Sequence, residues 1–223
     1  MISVFLQVRV DSTRLPGKAL AMLGGKTVIE RCFEALAAVR ADRRVLVTEP
    51  ASVSALEPLA RAAGWETYVG SKDDVLDRFV QAARATGTTT IVRATGDNPL
   101  VSAALANSLR HLHEADQADY SGFVGGPVGT GVEILRVAAL EAAWSLSPND
   151  YQREHVGPAL YQRPEHFRIH RPEVPADCRA PQARVTLDTP EDLEYLTALW
   201  DELDPATPPE VEDLIPWLNH HPR

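Results

Sequence analysis

The chain has 223 residues, 44% hydrophobic and 24% charged, with a formal net charge of −9. That length can bury a substantial core, and the acidic balance argues against a nucleic-acid or anionic-membrane surface, which would need a basic face. No apolar run reaches the about 18 residues of a membrane span, no basic n-region opens the chain, and Cys32 and Cys178 stand apart outside any C-x-x-C spacing, so a cytoplasmic protein with two free, buried thiols is expected.

The apolar run Ile2 to Leu6 reads as a buried strand of a parallel sheet. It delivers the segment Gln7 to Lys18, which carries three fixed cations (Arg9, Arg14, Lys18), the hydroxyls Ser12 and Thr13, and a Pro16-Gly17 turn. At the carboxyl edge of an open α/β sheet such a loop suits nucleotide phosphates, because guanidinium groups match phosphate oxygens bidentately. A solvated basic turn is the alternative. The loop is neither a G-x-x-x-x-G-K-[ST] phosphate loop nor a G-x-G-x-x-G fingerprint.

Helix and strand signals then alternate. Thr27 to Val39 repeats apolar residues at helical spacing behind Thr27 as N-cap, and Arg44 to Thr48 is a strand. Ser52 to Ala63 is a helix stopped by Gly64, Trp65 to Val69 a strand, and Asp73 to Thr86 a helix ended by Gly87. Thr88 to Ala94 is a β-branched strand, followed by the turn Thr95-Gly96-Asp97-Asn98-Pro99 and a helix from Ser102 to His113. This alternation predicts a mostly parallel, right-handed wound sheet.

The second half is less regular. Strands are predicted at Asp119 to Phe123 and Gly131 to Leu135 around the Gly-rich turn Gly125 to Gly129, then helices at Val137 to Leu146 and Asp150 to Gln162. Further strands fall at Phe167 to Arg171 and Arg184 to Leu187, and Pro190 opens a helix that runs to Leu203. The Pro-rich tail 204–223 carries one short amphipathic helix with Leu214, Ile215 and Trp217. With no internal repeat and no long linker, the chain reads as a single domain.

Three constellations join the basic loop. Gly70 to Arg78 is an acidic helix start whose local reading is an N-cap by Ser71 or Asp73. Asp97 lies just past a strand, where it becomes a suitable ligand for Mg²⁺ if a phosphate loop faces it. Asp188 closes a strand ahead of a helix; alone it would be an N-cap, but two acids at two strand ends are what a nucleoside triphosphate site needs.

Five motifs in register carry a resemblance. They are Gln7-x-Arg9-x-x-Ser12-Thr13-Arg14-Leu15-Pro16-Gly17-Lys18, Gly70-Ser71-x-x-Asp74-Val75-Leu76-Asp77-Arg78, Arg93-x-Thr95-Gly96-Asp97-x-Pro99-Leu100, Arg153-Glu154-His155-Val156 and Leu187 to Asp192. Together they resemble the cytidylyltransferases that make CMP-activated sugars, nearest the spore coat polysaccharide biosynthesis branch and beside the CMP-KDO and CMP-acylneuraminate synthetases. The resemblance implies a nucleotide-diphospho-sugar transferase (GT-A-like) fold, an α/β three-layer α/β/α sandwich around a mostly parallel mixed sheet. It implies attack by an acid sugar's anomeric hydroxyl on the α-phosphate of CTP, with pyrophosphate released.

By the same resemblance Gln7, Arg9, Ser12, Thr13, Arg14, Lys18, Ser71, Arg78, Thr95 and Asp97 hold the nucleotide, with Arg14, Lys18 and Asp97 catalytic. Asp97 and Asp188 bind Mg²⁺, and Glu133, Arg153, Glu154 and His155 meet the acceptor. Residues 1–118 form the nucleotide half and 119–203 the acceptor and dimerisation half, with a homodimer expected through Tyr120 to Arg171.

The chain departs from the family pattern at three places. Asp11 adds a negative charge beside the phosphate loop, where it can weaken phosphate binding or pair with Arg14; Gly131 replaces an acid in the loop expected to face the acceptor; and the base-binding Ser-Gly-Thr-x-Arg pattern is not kept at Ser71 to Val75. Rival readings are a transferase for another nucleotide or for a phosphonate or phosphosugar acceptor, and a glycosyltransferase of the same fold. The D-x-D metal motif of the latter is absent from Asp73-Asp74 and from Asp97-Asn98-Pro99. A non-catalytic binding protein is disfavoured because Lys18, Asp97 and Asp188 are all retained.

Overall fold

A computed structural model describes residues 1–146, 148–203 and 207–223. The first half runs β1 (Ile2–Gln7), a hairpin of β2 (Met22–Leu23) and β3 (Lys26–Thr27), α1 (Val28–Leu36), β4 (Arg43–Thr48), α2 (Val53–Ala62), β5 (Glu66–Val69), α3 (Val75–Thr86), β6 (Thr90–Thr95) and α4 (Ala103–Ala115). The second half runs β7 (Tyr120–Gly122), β8 (Glu133–Arg136), α5 (Val137–Ser145), α6 (Asp150–His155), α7 (Pro158–Tyr161), β9 (Ile169–His170), α8 (Pro190–Leu203) and α9 (Val211–His220). Among the described residues no helix is long and apolar enough to cross a membrane.

Alternation along β1 sends Val4 and Leu6 to one face and Phe5 to the other, and all three are fully buried. Each face is therefore covered. Val4 and Leu6 pack with α1, α2, α4, α8 and α9, while Phe5 packs with α3, α5 and α7. The result is the expected three-layer sandwich. Its seven-stranded sheet has the order β5-β4-β1-β6-β8-β7-β9, with β5, β4, β1 and β6 parallel and β8 antiparallel to both β6 and β7. The chain winds outward from β1 through β4 to β5, then crosses back to set β6 on the other side of β1. That reversal opens a crevice beyond the carboxyl ends of β1 and β6.

Several predicted elements shift. The helix read from Asp150 to Gln162 is two short helices, because Val156 adopts φ 63°, ψ −70° and the Gly157 N–H donates to the His155 carbonyl at 2.8 Å. This is a γ-turn, a conformation a β-branched residue adopts only under surrounding constraint. Arg184 to Leu187 is not a strand of the sheet and, among the described residues, forms only an isolated bridge, Val128 with Arg184, and the strand read from Phe167 to Arg171 shrinks to Ile169–His170. The β2–β3 hairpin was not predicted; it turns on Gly24 and Gly25, both at positive φ, which is type I′ chemistry.

Helix α3 is capped by Asp74, whose Oδ1 accepts from the Asp77 N–H at 2.9 Å, rather than by Ser71 or Asp73. At the start of α8, Asp192 Oδ2 accepts from the N–H groups of Asp188 and Thr189, and Thr189 Oγ1 from that of Asp192. Asp188 is thereby relieved of the capping duty its position suggested. In the tail, residues 204–206 lie outside the described residues, and α9 buries Leu214 and Trp217 as expected. Cys32 and Cys178 are free and buried, and burial pushes both thiols up, Cys178 to about 12.

Candidate active site

The loop after β1 is pinned at its base and open at its crown. The Val10 N–H donates to Ser52 Oγ at 2.8 Å, the Val10 carbonyl accepts from the Gly17 N–H at 3.1 Å, and Thr48 Oγ1 donates to the Val8 carbonyl at 2.8 Å. Between those anchors no backbone N–H from Asp11 to Leu15 donates to any described residue. Free amides beside Arg9 and Arg14 are donors that an anion can engage. Gly17 closes the loop at φ 72°, and Gly96 lets β6's end press against β1, since a Cβ there would lie 2.6 Å from Val8 Cγ2.

At this edge Lys18 gathers the two acids. Its Nζ donates to Asp97 Oδ2 and Asp188 Oδ1, both at 2.9 Å, and to the Leu187 carbonyl at 2.8 Å. Arg14 reaches Asp188 Oδ1 at 3.0 Å from an otherwise exposed position, and Arg184 holds the other oxygen. Burial opposes ionisation of Asp188, but Lys18, Arg14 and Arg184 overcome it and hold the carboxyl below the usual range. Three oxygens converging on one ammonium form a hard-donor set of the kind Mg²⁺ prefers.

Arg14, Lys18, Asp97 and Asp188 line a cleft of about 710 Å³ that also includes Gln7, Arg9, Ser12, Thr13, Ser71, Arg78, Thr95, Arg153, Glu154 and His155. Residues read from all five separated motifs thus share one cavity. Glu133 does not. It lines an adjoining cavity of about 410 Å³ walled by the Gly-rich turn, and among the described residues only Arg93 and Thr95 border both spaces. The Glu133 carboxylate accepts from Arg93 and, at 2.8 Å, from the Tyr120 hydroxyl, which burial pushes up in pKa. Arg153 is likewise engaged, tied to Asp74 across the mouth of the cleft. Asp11 pairs with Lys72 at 2.8 Å instead of Arg14, because the loop turns it toward the exposed start of α3.

Sequence reading missed the support of the loop. Glu49, 1% exposed, accepts from the Ser52 hydroxyl and, at 2.7 Å, from the Ala51 N–H. Ser52 therefore spends its oxygen on Val10 and not on capping α2, which has no side-chain cap. The signal was present only as an acid directly after a parallel strand, at the edge where ligands bind.

Residues 3–210 match the family model described as cytidylyltransferase. The chain belongs to the cytidylyltransferase family. It is similar to the spore coat polysaccharide biosynthesis protein SpsF of Bacillus subtilis (strain 168), 32% identical over 99% of this chain and 95% of that one. It is also similar to a 3-deoxy-manno-octulosonate cytidylyltransferase of Aeromonas salmonicida (strain A449), 31% identical over 71% of this chain and 60% of the relative. The solved structure of a cytidylyltransferase from Leptospira borgpetersenii serovar Hardjo-bovis superposes with a TM-score of 0.91 at 27% identity, covering 99% of this chain and 94% of that one. This cytidylyltransferase-family chain is a nucleotidyltransferase enzyme.

Proposed function

We propose that the larger cleft binds CTP with Mg²⁺ and transfers CMP to a hydroxyl of a small acidic sugar or related acceptor, releasing pyrophosphate. The observation that carries this is the cation held jointly by Asp97 and Asp188 beneath a loop of unpaired backbone amides. The free amides of Asp11 to Arg14, with Arg9, Arg14 and Lys18, would cradle the triphosphate. Asp97 and Asp188 would hold the metal, which when bound neutralises phosphate charge and polarises the α-phosphoryl group. Catalysis by the chain's own residues is then positioning and electrostatic stabilisation. The acceptor would enter by the Gly-rich turn and meet the nucleotide where Arg93 and Thr95 border both cavities, with Arg153, Glu154 and His155 at the rim.

In this reading residues 1–118 hold the nucleotide, residues 119–203 hold the acceptor, and the enzyme works in the cytoplasm. It pairs as a two-fold dimer through Tyr120 to Arg171, where Tyr151 and Leu146 are exposed while Phe167 is buried. Light scattering giving the mass of one chain would remove the dimer. The test of function is pyrophosphate release from CTP, UTP, GTP and ATP across a panel of sugar acids and phosphonates, with and without EDTA. Release from CTP that stops in EDTA and returns with Mg²⁺ is expected. Release from CTP that persists in EDTA, or no binding of any nucleotide, would overturn it.

A further inference from the structure

We infer that Arg184 sets which divalent cation the acid pair accepts, by leaving Asp188 one free oxygen and so favouring Mg²⁺ over Ca²⁺. This rests on the reading that Asp97 and Asp188 hold a metal. The two oxygens of Asp188 are engaged from different sides. Oδ1 is shared by Lys18 at 2.9 Å and Arg14 at 3.0 Å, and both of those residues line the cleft. Oδ2 takes the Arg184 guanidinium, and Arg184 is not among the described residues that line the cleft.

The hold on Oδ2 is built into the surrounding chain. Arg184 Nη2 also donates to Thr186 Oγ1 at 3.2 Å, and it lies 3.9 Å from Asp192 Oδ2. On either side of Arg184 the backbone is fixed to the Gly-rich turn. The Val128 N–H donates to the Ala183 carbonyl at 2.9 Å, and the Val185 N–H to the Val128 carbonyl at 2.8 Å. Asp192 accepts from the Asp188 N–H at 2.7 Å, while Arg223 holds its other oxygen at 2.6 Å. The Leu187 N–H donates to the Asp97 carbonyl at 2.8 Å, which anchors the second acid to the same segment.

Ligands in the cleft act on these two sides unequally. Lys18 and Arg14 face the cleft, where phosphate oxygens can replace their acids. Arg184 has Thr186, Asp188 and Asp192 around it and no place on the cleft wall, so it keeps Oδ2. Asp188 then offers a metal Oδ1 alone.

That restriction separates cations by size. Mg²⁺ requires octahedral oxygens at about 2.0–2.1 Å and is satisfied by one oxygen from a carboxylate. Ca²⁺ gathers about six to eight ligands at about 2.3–2.6 Å and commonly takes both oxygens of one carboxylate. A carboxylate with one oxygen committed meets the first demand and denies the second. The positive charge of Arg184 weakens the binding of either dication alike, because Coulomb repulsion depends on charge and distance. The ratio of the two affinities therefore isolates positioning from charge.

The experiment titrates MgCl₂ and CaCl₂ separately into the full-length wild type and the Arg184→Gln and Arg184→Lys variants, at matched ionic strength. Affinities are read from the rise in Tm with cation concentration, and circular dichroism checks each fold. The wild type is expected to bind Mg²⁺ more tightly than Ca²⁺. In Arg184→Gln both ions should gain from the lost charge but Ca²⁺ by more, so that the Mg²⁺ to Ca²⁺ ratio falls roughly tenfold, as for loss of a residue that orients a metal ligand. Arg184→Lys keeps the charge and can still donate to Oδ2, so it should recover most of the ratio. An unaltered ratio in Arg184→Gln, a wild type without the preference, a ratio equally low in both variants, or loss of fold in both would each overturn the assignment. Mg²⁺-dependent pyrophosphate release beside an unaltered ratio would sink this inference alone. A wild type whose Tm neither cation moves would instead remove the metal from the acid pair, and this inference with it.

Discussion

Replacing Lys18 by Met is expected to unbalance the carboxylate pair before any chemistry is measured. The Lys18 Nζ donates to Asp97 Oδ2 and Asp188 Oδ1, each at 2.9 Å, in a site where the lysine side chain is 14% exposed. Met keeps most of the stem and removes the charge. Two carboxylates about 5 Å apart repel by roughly 3 kcal/mol at an effective dielectric of about 20. Arg14 and Arg184 still neutralise part of Asp188, and Asp97 keeps contact with water, so a net loss of about 2 kcal/mol is expected. For a chain of this length that lowers Tm by about 4–8 °C. Differential scanning fluorimetry at pH 7 in EDTA reads the loss directly. Millimolar Mg²⁺ should restore the variant and shift it further than the wild type, because no ammonium then competes for the same oxygens. Mild acid should act like the metal. Burial already opposes ionisation of Asp188, so without Lys18 its carboxyl takes up a proton more readily and the repulsion fades. An unchanged Tm in EDTA, or equal Mg²⁺ shifts in the two proteins, would refute this account.

Ser52→Ala removes the acceptor of the Val10 N–H and the donor to Glu49, so a several-fold rise in nucleotide KM with kcat nearly unchanged is expected, and Ser52→Thr should recover it; steady-state kinetics with an unaltered KM would remove Ser52 from loop positioning. His155→Ala, at the exposed rim beside Tyr151, should impair acceptor use while nucleotide affinity measured by calorimetry stays within about twofold; parallel losses would mark the histidine as structural. Burial opposes ionisation of Asp192, but two backbone N–H groups and the Arg223 and Arg184 charges hold its carboxyl low. That stabilisation is complete above the unfolded carboxylate value of about 3.9 and is lost as pH falls through the lower folded value. Asp192→Asn should therefore lower Tm at pH 7, through a loss of about 2 kcal/mol, and flatten its decline below about pH 4; a parallel acid limb would count against it.

The grouping of the candidate site residues was legible because fixed charges and turn residues sit at strand ends, and a parallel sheet gathers strand ends along one edge. Knowing that β1 and β6 were strands was enough to bring Lys18 and Asp97 together. Elements whose boundaries depend on tertiary contact were not legible. The helical period through Asp150 to Gln162 is continuous in sequence, but the γ-turn at Val156 breaks it, and nothing local to valine requires that conformation. Glu133 lines the cavity of the Gly-rich turn, where Arg93 and Tyr120 hold its carboxylate, and neither partner is adjacent to it in sequence. Glu49 and Ser52 went unread because their work is done through one backbone amide of a distant loop, and such a contact leaves no pattern in sequence.

The cleft of an acidic protein can still be a site for a highly charged anion because five of the seven lysines and arginines that line it are already partnered. Arg14 and Lys18 are tied to Asp188 and Asp97, Lys72 to Asp11, Arg93 to Glu133, and Arg153 to Asp74. Without those partners the guanidinium and ammonium groups would repel one another at short range and strain the loop that carries them. On the proposed reading a triphosphate would not simply add to the site; it would exchange partners. A divalent cation taken up by Asp97 and Asp188 would leave Lys18 and Arg14 without their acids, and phosphate oxygens are the partners such groups prefer. Each ligand then makes room for the other, and by linkage each must raise the other's affinity by the same factor. Arg9 and Arg78, which also line the cleft, stand outside this exchange, since neither side chain forms an ion pair with a described residue.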